Sequence, residues 1–182
     1  MINQNPEQIA RDNIDKQLVA CGWLIQDKKR LNLAAGVGVA VREYSTEVGP
    51  ADYVLFVNQK PVGVIEAKRE EEGVKFSVHE SQVEEYANAK LKLIDNLPLP
   101  FLYLSTGAIT KFTDTRDPNP RYREVFTFHR PETIAKWIRK DVSLRTRMSE
   151  NFPQLDPEGL RDCQIDAITN LESLCCLSKL NT

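Results

Sequence analysis

Between Asp52 and Lys68 two short apolar runs, Val54 to Val57 and Val62 to Ile65, flank the turn-like tetrapeptide Asn58-Gln59-Lys60-Pro61. Runs of this length, apolar on both faces and separated by turn residues, predict two buried strands folded into a hairpin. A turn centred between Gln59 and Lys60 sets Asp52 opposite the Glu66 and Ala67 region of the partner strand. Because strand side chains alternate between faces, Glu66 and Lys68 point one way and Ala67 the other. Two carboxylates and an ammonium are thereby expected at one edge of an otherwise buried ribbon.

Carboxylates that close repel, and one is driven toward protonation unless a cation intervenes. A hard divalent ion such as Mg²⁺ accepts one or two protein carboxylates and completes its shell with water and phosphate oxygens. Lys68 would then stand beside the attacked phosphate, where it can orient water and offset developing negative charge. The same spacing also fits a carboxylate–lysine salt bridge at a strand end, and on the residues alone both readings stay open.

The wider pattern resembles a known family. Pro50-Ala51-Asp52 followed by Glu66-Ala67-Lys68 resembles the PD-(D/E)xK nuclease signature, with Ala51 standing where the signature's name has proline. The segments Ala51 to Leu55 and Pro61 to Lys68 are similar to the R (HsdR) subunit of type I restriction enzymes. Glu7, Arg11, Ile14-Asp15, Leu18 and Gly22-Trp23 are similar to that family's opening helix, and Gln82-x-x-x-Tyr86 to the Q-x-x-x-Y element of its RecB-like nuclease branch. Leu160-Arg161-x-x-Gln164-x-x-Ala167-Ile168 resembles the approach to its helicase motor.

The resemblance implies an α/β fold of the restriction-endonuclease type, with a mixed central sheet flanked by helices. It implies a Mg²⁺-dependent nuclease cutting duplex DNA, with Asp52 and Glu66 as metal ligands and Glu7 as an optional third acid. Lys68, Gln82 and Tyr86 complete the implied catalytic set. Gln164 is implied to sense adenine in a full-length subunit, so ATP belongs to that longer protein. Implied partners are DNA and the methyltransferase (M) and specificity (S) subunits of a restriction complex. Two other readings remain: a RecB-like nuclease acting on DNA ends or single strands, and an inert docking module of the same fold.

Other features bound the answer. An apolar content of 41% and a charged content of 27% suit a globular domain. No apolar run approaches a membrane span, and the first residues lack the basic and apolar regions of a secretory signal, so a cytoplasmic protein is expected. Cys21, Cys163, Cys175 and Cys176 form no C-x-x-C pair, and only His79 and His129 are available beside them. That is poor arithmetic for zinc and leaves any metal to oxygen ligands. The net charge is −2, yet residues 111–147 hold ten Lys/Arg against five Asp/Glu. Lys111, Arg116, Arg121, Arg123 and Arg130 are therefore candidates either for phosphate contacts or for a solvated basic face.

Along the chain, helices are expected at Glu7–Cys21, from about Ser77 to Ile94, from Pro131 to about Lys140, and at Leu160–Leu174. Strands are expected at Val37–Tyr44, in the hairpin, at Phe101–Ser105, at Ile109–Phe112 and at Glu124–Phe128. Glu7 sits in a first helical turn, where an acid also simply complements the helix dipole. Glu43 is a further acid near the sheet edge. Gln82 and Tyr86 are one turn apart on one face, although a tyrosine on an amphipathic helix is commonly just half-buried. The Pro-bearing segment Asn151 to Pro157 reads as a linker, giving a nuclease domain over 1–150 and the start of a motor domain over 151–182. No G-x-x-x-x-G-K-[ST] occurs, so this polypeptide alone is expected neither to hydrolyse ATP nor to translocate, as an amino-terminal fragment of a longer subunit.

Overall fold

Among the described residues seven strands pair in the order in which they occur along the chain: β1 (Leu24–Asp27), β2 (Gly38–Ser45), β3 (Pro50–Val57), β4 (Lys60–Ala67), β5 (Phe101–Ser105), β6 (Thr110–Asp114) and β7 (Arg123–Val125). The β1/β2 and β4/β5 pairs are parallel and the other four antiparallel, so the sheet is mixed, as expected. The computed structural model describes residues 5–69, 91, 98–151 and 153–176. The expected helix from Ser77 to Ile94, with Gln82 and Tyr86, lies outside the described residues apart from Leu91.

Helix α1 (Pro6–Ala20) starts where Asn5 Oδ1 accepts the Glu7 N–H at 3.2 Å and Pro6 supplies a preset φ. It stops at Gly22, whose φ of +91° suits a residue without a Cβ. Ala10, Ile14 and Leu18 recur every fourth residue and are buried. Full burial of side chains such as Ile14 and Leu18 stabilises by about 2 kcal/mol each. They pack with Trp23, Ala40, Tyr53, Leu55, Ile65, Phe101 and Tyr103, and with Ile134 and Ala135 of α2 (Pro131–Ile138). The opposite face of the sheet buries Val39, Val41, Val54, Phe56, Val64, Leu102 and Leu104 together with Leu91 and Leu99. Burial on both faces explains why β3, β4 and β5 read as continuous apolar runs.

The β3–β4 hairpin differs from the expected tetrapeptide turn. Asn58 and Gln59 alone turn the chain, with φ of +48° and +67°, while Lys60 and Pro61 already belong to β4. Two consecutive left-handed residues match the twist of the strands they join. Pro61 has no N–H to give the ladder, and the register shifts there: Phe56 pairs with Pro61 but Leu55 with Gly63, leaving Val62 as an inserted residue. Val62 consequently joins the face of Ile65 and Ala67, against strict alternation. From Leu55 onward the pairing runs regularly through Tyr53 and Ile65, which brings Asp52 beside Glu66 and Ala67.

Other boundaries also moved. β1, absent from the expected elements, forms because Leu24 to Asp27 find β2 as a parallel partner, although their exposure shows no alternation. β7 is three residues long and ends before Phe126, whose side chain is fully exposed. The chain divides into two compact units, Met1–Thr115 with Arg121–Arg139, and Arg116–Pro120 with Lys140–Thr182. Within the second lie α3 (Leu144–Asn151), which was not expected, and α4 (Asp162–Cys176). There Arg145 Nε lies 3.4 Å from Asp117 Oδ2 and Arg116 donates to the Lys140 carbonyl at 3.1 Å.

Gly63 is the tightest point of the site's scaffold. A Cβ at that position would stand 2.3 Å from the Phe101 carbonyl oxygen in β5, a backbone atom that cannot swing away. Gly63→Ala should therefore cost about 3 kcal/mol or prevent folding. Urea unfolding of the variant beside the native chain measures this.

Candidate functional site

Asp52 near the start of β3 and Glu66 near the end of β4 stand on neighbouring strands, and Lys68 follows immediately. With Glu7, Arg11, Pro50 and Ala67 they line a cleft of about 310 Å³. Asp52 Oδ2 accepts the Ala67 N–H at 2.8 Å, which ties the acid across the hairpin. Asp52 Oδ1 accepts from Arg11 Nη2 at 2.5 Å. Lys68 Nζ donates to Glu66 Oε1 at 3.0 Å, and its backbone N–H donates to the Ser105 carbonyl at 2.9 Å, fixing the strand end against β5. The three groups expected to converge therefore do so.

Glu66 is only 6% exposed. Burial pushes its carboxyl up to about 7; the charge of Asp52 adds to the rise, while Lys68 and Arg11 oppose it. Burial works to lower the Arg11 pKa, but the charge of Asp52 and the hydrogen bond to it outweigh that and leave it raised. Among the described residues no three of His, Cys, Asp and Glu gather as a ready-made metal cage. A cation in the cleft would be held by the Asp52 and Glu66 carboxylates and water, a donor set that suits Mg²⁺ better than Zn²⁺.

Glu7 reaches the same cleft, but its carboxylate is engaged by Arg69, with Nη2 at 3.0 Å and Nε at 3.1 Å from Oε1. Glu43 also approaches: its Oε1 lies 3.9 Å from Arg11 Nη1 and its Oε2 3.9 Å from Lys28 Nζ. Glu43 adopts a φ of +48° in the middle of β2, a left-handed backbone that costs a residue with a Cβ about 1–3 kcal/mol. The opening helix is tied to the sheet by Asp15, which accepts from Arg42 and, at 2.9 Å, from the Tyr53 hydroxyl.

Arg11 is the residue sequence reasoning left without a role. Its signal was present: four residues after Glu7, it shares a face with an acid already suspected of reaching the cleft. Gln82 and Tyr86 lie outside the described residues. Gln164, in the second unit, accepts the Arg161 N–H at 3.0 Å, the returning half of a capping box at the start of α4.

Comparison with known proteins gives three findings. Residues 26–98, which include Asp52, Glu66 and Lys68, match the family model described as the second domain of the type I restriction enzyme EcoKI endonuclease subunit. The EcoKI endonuclease subunit of Escherichia coli K12 is 26% identical over an alignment covering 91% of this chain. A solved fragment described as an HsdR subunit of a type I restriction enzyme from Vibrio vulnificus YJ016 superposes with a TM-score of 0.55, at 20% identity, over 96% of the chain. All three liken this chain to a subunit of type I restriction enzymes.

The chain spans 18% of the length of the EcoKI relative and 33% of the solved Vibrio fragment. Likeness to the Vibrio fragment extends to the fold, a mixed sheet flanked by helices. Among the described residues no helix is long and apolar enough to cross a membrane.

The raised Glu66 carboxyl has a measurable consequence. In the folded chain it holds its proton up to about pH 7, whereas unfolded it releases it near the ordinary value of 4.5. The folded state thus binds the extra proton between those values, and stability falls as pH rises through that window. Relative to Glu66→Gln, the metal-free native chain should lose roughly 3 kcal/mol between pH 4.5 and 7.5. Urea titrations at the two pH values check this, and parallel pH profiles for the two proteins would contradict it.

Proposed function

We propose that the Asp52–Glu66–Lys68 cleft is a Mg²⁺-dependent nuclease centre of a type I restriction R subunit, hydrolysing phosphodiester bonds of duplex DNA. The observation that carries this reading is the meeting of a desolvated carboxylate pair and an ammonium in one open cleft. Structural salt bridges seldom bury two acids together, because each suppresses ionisation of the other; nucleophilic and metal-assisted sites do. Similarity to an endonuclease subunit across this same stretch supports it further.

In this reading Asp52 and Glu66 hold the cation, and Asp52 is kept in place by the Ala67 N–H. When bound, Mg²⁺ supplies Lewis-acid polarisation. Lys68, steadied by Glu66 and by the β5 backbone, holds positive charge where a phosphate gains negative charge, and it orients the attacking water. Gln82 and Tyr86 are proposed to steady the same centre, and Glu7 to assist once released from Arg69. Residues 1–150 would form the nuclease domain and 151–182 would lead into an ATP-driven motor, with Gln164 near the adenine. DNA and the M and S subunits would be the partners of that longer cytoplasmic protein.

The test uses a full-length R subunit carrying this domain, assembled with its partners on DNA. Asp52→Ala, Glu66→Ala and Lys68→Ala should each lower cleavage by at least about a hundredfold while ATP hydrolysis persists. Native-like cutting by all three would leave the docking-module reading in its place. Calorimetric titration of the present chain should also show weaker Mg²⁺ binding for Asp52→Ala and Glu66→Ala than for the native protein.

A further inference from the structure

Resting on the reading just given, we infer that Arg11 is an exchangeable counter-cation: it neutralises Asp52 while the centre is empty, and yields that carboxylate to the divalent ion by moving onto Glu43.

Asp52 has two carboxylate oxygens with very different partners. Oδ2 faces the Ala67 N–H, a backbone group inside the sheet that has no freedom to leave. Oδ1 faces the Arg11 guanidinium at 2.5 Å, and this partner sits on the end of a flexible side chain. The Oδ1 side is therefore the one whose present partner can be displaced by an incoming cation. Two positive charges on one carboxylate oxygen in a part-buried site repel, so the guanidinium has to give way.

Its route out is built. Arg11 lines both the cleft of about 310 Å³ that holds Glu66 and Lys68 and a neighbouring cleft of about 250 Å³ that holds Glu43, Asp12 and Asp15. On that second side Glu43 Oε1 already stands 3.9 Å from the other terminal nitrogen of the same guanidinium. One small rotation exchanges a close bond to Asp52 for a close bond to Glu43. The left-handed backbone of Glu43 supports this independently, since an extended conformation there would be the ordinary choice for a strand residue. Meanwhile the Arg11 backbone stays fixed within helix α1, whose Ala10, Ile14 and Leu18 are buried. Only the side chain needs to move.

Titrating Mg²⁺ alone into the 182-residue chain by calorimetry tests the exchange. Arg11→Met, which keeps the aliphatic stem, should bind Mg²⁺ about tenfold more tightly than native, and Glu43→Gln about threefold more weakly. In the Arg11→Met background, Glu43→Gln should change nothing, because no guanidinium remains to receive. Unchanged affinity in Arg11→Met overturns the inference, as does an undiminished Glu43→Gln effect in the double variant. If Arg11→Met does not fold, a Mg²⁺-soaked crystal of the native chain decides: the guanidinium found on Glu43 supports the exchange, and one still on Asp52 Oδ1 with Mg²⁺ bound overturns it. Absence of Mg²⁺ binding by the native chain would instead remove the metal reading itself, and this inference with it.

Discussion

The hydrogen bond from the Ala67 N–H to Asp52 Oδ2 is the contact on which the cleft depends, because it exists only in one register of the β3–β4 hairpin. Slipping that pairing by one residue would turn Asp52 or Glu66 to the other face and bury a charge in the apolar layer of α1. The register is held at both ends. At the turn, Asn58 and Gln59 accept left-handed backbones and Pro61 forces the insertion of Val62. In the middle, Gly63 lies so close to Phe101 that β5 admits no side chain there.

The electrostatics of the cleft follow from this geometry. Bringing Glu66 under the sheet edge strips it of water next to another acid, and the chain answers with its own cations, Lys68 on Glu66 and Arg11 on Asp52. Such a pairing is a poor way to gain stability, since removing two charges from water costs much of what their attraction returns. The proposed function would account for concentrating this cost at a cleft rather than spreading apolar residues there.

Helix α1 serves both the core and the cleft. Its Ala10, Ile14 and Leu18 stripe anchors it on the sheet, and the Asp15 links to Arg42 and Tyr53 fix its rotation. With rotation fixed, the neighbouring positions Glu7 and Arg11 are delivered to the cleft rather than to solvent. The same helix that closes the core therefore supplies Arg11, whose charge opposes the rise of the Glu66 carboxyl.

Much of this was legible beforehand. Continuous apolar runs and turn residues revealed the hairpin, the four-residue apolar spacing revealed α1, and the distance from Asp52 to Glu66 and Lys68 revealed that the three would meet, because strand geometry and hairpin pairing are local rules. β1 was hidden, since four residues without alternation become a strand only when β2 is there to pair with them. The two-residue turn and the Val62 insertion were hidden too, as they depend on what Pro61 withholds from the ladder. What the sequence by itself determined is the order of elements and the identity of the acids and the lysine. Only the tertiary structure decided that Arg11 lies on Asp52, that Glu43 leans toward it and that Glu7 is held by Arg69, because long flexible side chains choose partners by proximity across elements, and no spacing along the chain encodes that.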